Sequence, residues 1–250
     1  MRRFFVDKID NQKLVVSGDQ FLHMTKVLRM REGDSFLAIC GDSKEYECRI
    51  AEISSGRAIC EVVSERLVST DAEANVAVFQ ACVKGDKFDL IIQKLSELGI
   101  KRLVPFDSDF SIAKCQADKT PRYNKIATEA CKQCRRTVPM EVSSPMKFSA
   151  MLEEIQKYDM VVFCNEHETS RPLRTLFEGF LGSVAIIVGS EGGFSPNEIE
   201  KLQNAGVKSI TLGKRILRAE TASIVTAGCV MMLLGELAVS YTHLRAHETD

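Results

Sequence analysis

Arg218 and Glu220 lie two residues apart in the segment 212–222, LGKRILRAETA, where Lys214 and Arg215 add charge around Ile216 and Leu217. A cation can steady a developing anion, and a carboxylate can orient that cation or accept a proton; group transfer to a polar acceptor calls on one or the other. The same two side chains could instead pair with each other and simply hold the loop. A second segment, 189–200, reads GSEGGFSPNEIE. Its Gly189, Gly192 and Gly193 are expected to take positive φ and leave backbone N–H groups uncovered for a ligand. Ser195, Pro196 and Glu198 then spell the N-cap, first-turn proline and third-position acid of a capping box. The segment is neither G-x-G-x-x-G nor G-x-x-x-x-G-K-[ST], and Glu191 would repel a phosphate, so a neutral or cationic ligand fits better. Taken singly, the first loop reads equally as a tight turn. The second reads equally as a solvated basic turn with Thr221 as helix N-cap.

Both segments need elements to position them. Each follows a short apolar run, 184–188 or 207–211, that reads as a buried strand, and each opens into a helical stretch. Two such crossovers side by side make a crevice at the carboxyl ends of a sheet. Further strand-like runs at 76–82, 102–105 and 160–164 alternate with helical stretches, so the fold class is α/β with a largely parallel sheet. Within 87–98, Phe88, Ile91, Ile92, Leu95 and Leu98 share one helical face and Gly99 follows as a stop. That leaves Lys84, Lys87 and Lys94 for the other faces, where solvated lysines are the ordinary finding. Ahead of a polar bridge at 69–75, the runs 35–39, 46–53 and 58–63 are broken by Gly33, Gly41, Asp42 and Gly56. This rhythm predicts a small antiparallel barrel or meander.

Composition narrows the classes. The 250 residues carry 33 Lys and Arg against 34 Asp and Glu, which argues against indiscriminate nucleic-acid binding. Residues 84–139 nevertheless hold 12 basic against 7 acidic side chains, a modest footprint for phosphates of an RNA recognised mainly by shape. Nine cysteines are an odd count, and no secretion signal opens the chain, so the thiols are expected to be reduced and the protein cytoplasmic. Cys131 and Cys134 form a lone CxxC, short of the four ligands of a zinc site, and no metal is expected. No apolar run reaches the ~20 residues of a membrane span, so no membrane role is expected either. At 240–250, SYTHLRAHETD places His243 and His247 four apart before Glu248. A pair at a terminus lacks further ligands, and residues 241–250 are expected to be a frayed or non-native tail.

Taken together, the two loops resemble the RsmE-like 16S ribosomal RNA uridine N3-methyltransferases of the SPOUT class. The resemblance extends upstream through 21–34 (FLHMTKVLRMREGD), 84–100 (KGDKFDLIIQKLSELGI) and 129–139 (EACKQCRRTVP), in the family's order over residues 1 to 240. It implies a PUA/OB-like β-barrel at 1–70 for RNA binding and a SPOUT methyltransferase domain at 74–240 with a deep C-terminal trefoil knot. It further implies S-adenosyl-L-methionine held by Val188, Gly189, Glu191, Gly193, Leu212, Gly213, Ile216, Leu217 and Arg218, with Arg218 and Glu220 catalytic. Arg3, His23, Arg29, Lys84, Arg135 and Arg136 become the RNA contacts. The partners implied are 16S rRNA within a small ribosomal subunit particle and a second copy of the chain, as a homodimer. Two positions depart from the family's pattern: Asp109, Phe110 and Ser111 stand where Glu-Arg-Ser is usual, and Ser190 replaces a proline. Rival readings are a SPOUT enzyme acting on another RNA, such as tRNA, and a non-catalytic RNA-binding protein of ribosome assembly.

Overall fold

The structure is a computed structural model that describes residues 1–6, 8–68, 70–168 and 173–237. The expected tail at 241–250, with its two histidines, lies outside the described residues. Contacts along the chain gather two units, one from residues 1–71 with 124–140 and the other from 72–123 with 141–250.

In the first unit, β1 (Arg3–Phe5), β2 (Lys13–Ser17), β3 (Ser35–Ile39), β4 (Lys44–Ser54) and β5 (Arg57–Leu67) form one sheet in the order β1-β3-β4-β5-β2. β1 joins β3 in parallel and the other pairings are antiparallel. Alternation in β2 turns Leu14 and Val16 inward onto a core with Phe4, Met24, Phe36 and Ile50, the period-2 pattern of a half-buried strand. The helix α1 (Gly18–Leu22) follows β2. β4 and β5 run longer than their alternating cores predict because they pair along almost their whole length, with two register shifts. Asp71 organises the end of this unit. Its carboxylate accepts N–H bonds from Thr137 and Val138 at 3.0 and 3.2 Å, the Thr137 hydroxyl, and Arg136 Nε at 3.3 Å. Burial pushes the Asp71 carboxyl up, but these bonds outweigh it and hold the group below its usual range.

The second unit holds β6 (Val76–Ala81), α2 (Lys87–Glu97), β7 (Arg102–Asp107), β8 (Glu141–Val142), β9 (Met146–Lys147), α4 (Phe148–Glu154), β10 (Met160–Cys164), β11 (Val184–Val188), α5 (Pro196–Asn204), β12 (Lys208–Ile210) and α6 (Ala219–Leu233). Between β7 and β8 the chain passes through α3 (Thr120–Cys134). The sheet runs β12-β10-β11-β6-β7-β8, with β9 also on β7, and every pairing is parallel. β6 and β11 are buried at every position, as central strands covered on both faces must be. α2 buries Phe88, Ile91, Ile92 and Leu95, and Gly99 ends it at φ +89°.

Two expectations need correcting. α6 starts at Ala219 with Arg218 as N-cap, because the Arg218 carbonyl already accepts the Ala222 N–H at 2.8 Å; Thr221 is inside the first turn rather than the cap. The CxxC is not among them: Cys131 and Cys134 sit in α3, where burial pushes the Cys131 thiol up to about 12. Finally, the thiols are not all free: Cys82 and Cys115 are joined as a disulfide with Cα atoms 5.5 Å apart.

Candidate functional site

α5 starts as its sequence dictates. The Glu198 N–H donates to Ser195 Oγ at 3.2 Å and the Ser195 N–H to Glu198 Oε2 at 2.9 Å, with Pro196 in the first turn. Glu198 is only 2% exposed, and its remaining acceptor capacity is filled by the Ser108 hydroxyl at 3.1 Å and the Asp109 N–H at 3.0 Å. The Ser195 hydroxyl in turn donates to Asp109 at 2.6 Å. Ser108 and Asp109, at the start of the loop after β7, therefore brace the start of α5.

The glycines of 189–194 serve close approach more than unusual backbone. Of the three, only Gly193 takes positive φ, at +70°. A Cβ on Gly189 would come within 3.1 Å of the Gly193 carbonyl carbon, and one on Gly192 within 3.0 Å of Phe110 Cβ. The loop folds on itself through a Gly193 N–H to Ser190 carbonyl bond of 3.0 Å. Behind it, buried Gln80 at the end of β6 donates to the carbonyls of Ala81 and Gly189 at 3.0 and 3.1 Å. In front, Lys87 Nζ meets Glu191 at 3.0 Å and lies 3.8 Å from Glu220. Burial raises the Glu191 carboxyl, but Lys87 and the backbone N–H groups outweigh it and hold the group below its usual range. Glu220 thus faces Lys87, and the alternative ion pair with Arg218 is not found among the described residues. Lys87, read from sequence as a solvated lysine, is the cation that joins the glycine loop to the start of α6.

These elements enclose a cavity of about 430 Å³ at the carboxyl ends of β10, β11 and β12. Val188, Gly189, Glu191, Gly193, Leu212, Gly213, Ile216, Leu217 and Arg218 all line it. A third wall, Cys164 to His167 after β10, carries no motif that sequence reading could use. Glu220 stands beside the cavity through Lys87, and its Oε2 is buried with no hydrogen-bond partner among the described residues. Ser190 Oγ is likewise buried and unpartnered. Ile216 is 81% exposed, and Lys214, Arg215 and Arg218 are also exposed.

The residues expected to meet RNA divide between the units. Lys84 is exposed in the second, its N–H on Glu191 at 3.2 Å. His23, Arg29 and Arg135 are exposed in the first. Arg3 and Arg136 are turned inward: Arg3 lies 2.6 Å from Glu45, though its N–H groups are not aligned to donate, and Arg136 is committed to Asp71. Both guanidinium groups therefore sit against carboxylates of the protein, unlike the exposed cations. Among the described residues the group able to hold a metal is Cys82, Asp107 and Cys115, whose two sulfurs are bonded to each other.

Residues 70–231 match the family model of the RNA methyltransferase domain, and residues 16–63 match that of the RNA methyltransferase PUA domain. The chain belongs to the RNA methyltransferase family. This family member is 28% identical over 245 residues to a ribosomal RNA small subunit methyltransferase E of Bacillus subtilis, covering 92% of this chain and 96% of that one. It is 30% identical to the protein of the same description from Buchnera aphidicola, covering 94% of each. It also superimposes on the crystal structure of such an enzyme from Neisseria gonorrhoeae bound to S-adenosyl methionine. There the TM-score is 0.80 and the identity 25%, over 93% of this chain and 98% of that one.

Proposed function

We propose that the chain transfers a methyl group from S-adenosylmethionine to N3 of a specific uridine in 16S ribosomal RNA, within a small-subunit particle. The observation that carries the reading is the cavity at the ends of β10, β11 and β12, considered beside the relative that binds S-adenosyl methionine. Its features suit that ligand. The glycine loop is held in shape because a Cβ on Gly189 or Gly192 would collide with Gly193 or Phe110, the apolar face of Ile216 is bare, and the Ser190 hydroxyl is buried with no partner among the described residues. Val188, Gly189, Gly193, Leu212 and Gly213 would offer backbone polar groups to the adenosine and methionine parts, and Ile216 with Leu217 would cover the ring. Glu191, kept ionised by Lys87, favours a cationic ligand.

When bound, S-adenosylmethionine supplies an electrophilic methyl on a sulfonium, open to in-line displacement. The chain's own residues must place the acceptor and remove its proton, since uracil N3 is a poor nucleophile while protonated. Arg218, exposed at the N-cap of α6, would stabilise negative charge on the uracil carbonyl oxygens. Glu220, whose Oε2 lies 3.8 Å from Lys87 Nζ and accepts no hydrogen bond among the described residues, would accept the N3 proton. Residues 1–70 would form the RNA-binding PUA-like domain, with His23, Arg29 and Arg135 reaching phosphates together with Lys84 of the methyltransferase domain at 74–240. The resemblance further supports a C-terminal trefoil knot, a homodimer and a cytoplasmic location. Mass mapping of 16S rRNA from a strain lacking the gene tests this: one uridine should lose a methyl group and regain it with the purified protein and S-adenosylmethionine. An unchanged 16S map with a missing methyl in tRNA would overturn it.

A further inference from the structure

Residues 108–116 leave the end of β7 and are fastened at both ends. At the start, Ser108 and Asp109 hold Glu198 and Ser195 of the α5 capping box. At the far end, Cys115 is bonded to Cys82, the residue after β6, and its N–H reaches Asp107 Oδ1 at 3.3 Å. Between the two anchors Phe110 stands so close to Gly192 that a Cβ there would lie 3.0 Å from Phe110 Cβ. One sulfur of the pair, that of Cys115, is therefore on the same short loop as the side chain that backs the glycine loop.

The pair also has room to react. Cys82 and Cys115 line a second cavity of about 350 Å³, separate from the first and shared with Lys114 and Lys119. Cys82 is 3% exposed and Cys115 is partly exposed, so one sulfur faces a reagent while the other waits behind it. A Cα separation of 5.5 Å is close to the commonest value for disulfides, so the bond closes without moving either backbone. The other seven cysteines are free.

We propose that Cys82 and Cys115 are a reversible oxidation site whose reagent is a small-molecule disulfide, and that closing the bond holds Phe110 against the glycine loop and tightens cofactor binding. The thiolate of Cys115 attacks one sulfur of the small disulfide, forming a mixed disulfide and releasing one small thiol. Cys82, having lost its proton, attacks the Cys115 sulfur and displaces the second small thiol. The two protein thiols lose two electrons and two protons, and the small disulfide gains them as two thiols. Reduction reverses both steps and frees the far end of 108–116.

The effect on cofactor rests on the assignment of the first cavity to S-adenosylmethionine, and the test separates the two claims. The full chain is equilibrated with glutathione disulfide or with reduced glutathione. Each form is mapped without reduction, followed by hydrogen exchange, and titrated with S-adenosylmethionine by calorimetry. Oxidation should yield a Cys82–Cys115 peptide, slow exchange across 108–116 and raise affinity about fivefold or more, an ordinary size for coupling between sites. Cys82→Ser and Cys115→Ser should each behave as the reduced form under both conditions. Equal exchange and equal affinity in the two forms would overturn the proposal, as would a tightly held zinc ion that blocks oxidation. Exchange that differs while neither form binds S-adenosylmethionine supports the oxidation site and sinks the cofactor assignment instead.

Discussion

The two loops that face each other across the cavity are built in opposite ways. Residues 189–194 are fixed from every side: Gln80 behind, Lys87 in front, Phe110 beneath Gly192, and the capping box of α5 at the exit. Residues 212–218 have little of this. Thr211 Oγ1 takes the Gly213 N–H at 3.2 Å, and beyond it Lys214, Arg215, Ile216 and Arg218 face outward. The contrast teaches that one wall is shaped before any ligand arrives, while the other keeps its charges and its apolar side chain uncommitted. A preformed wall lowers the ordering cost of binding. An uncommitted wall can spend its groups on the reacting partner.

If that division holds, the largest effect belongs to the open wall and to turnover. Arg218→Ala should cut the methylation rate by about 10²–10³-fold, the usual loss on removing one group that stabilises developing charge, with S-adenosylmethionine affinity little changed by calorimetry. Loss of affinity alone would move Arg218 to the cofactor side. Next comes the built wall and stability. Glu198→Ala should cost ~3 kcal/mol in denaturant unfolding, because it removes the acid half of the capping box and strands the Ser195 N–H, the buried Ser108 hydroxyl and the Asp109 N–H. An unchanged midpoint would show that the bracing is incidental. Ile216→Ala should leave unfolding untouched and weaken S-adenosylmethionine binding by ~1–2 kcal/mol, the worth of a side chain buried only by the ligand.

The smallest effect is electrostatic. Because the Glu191 carboxyl is held below its usual range, the Lys87–Glu191 pair is intact above the ordinary carboxylate pKa and is lost as pH falls through the lowered folded value. Partly exposed pairs of this kind are worth ~0–1 kcal/mol. Cofactor affinity should therefore hold from neutral pH down through the ordinary carboxylate range and weaken only below it, and Lys87→Met should flatten the decline. An equal decline in that variant would place the titrating group elsewhere.

How much of this was legible in the sequence depends on how far apart the interacting residues lie. Ser195, Pro196 and Glu198 specified the start of α5 correctly because a cap is decided within four residues. The apolar runs at 160–164 and 184–188 became β10 and β11 with those same bounds, since fully buried strands have unbroken apolar sequences. Both loops lining one cavity also followed from strand ends and resemblance. The sequence-distant partners left no trace: Glu191 meets Lys87 across 104 residues, and Glu198 meets Asp109 across 89. Positive φ was expected at all three glycines because glycine allows it, whereas at Gly189 and Gly192 the missing Cβ is what matters. No local pattern distinguishes those two reasons. The cysteine count likewise argued from compartment and could not see that the ends of β6 and of the loop after β7 bring two sulfurs together.

The strand order also has a bearing on how the protein is made. β6 pairs with β11 through Val76 and Val184, so the centre of the sheet cannot close until more than a hundred further residues have left the ribosome. The last wall of the cavity waits longer still, for α6 through Leu233. Until β11 emerges, β6 can pair with β7 on one side but keeps an open apolar edge on the other, the situation in which chains aggregate or engage chaperones. A protein proposed to act on ribosomal RNA would thus have no working site while its own ribosome is still translating it.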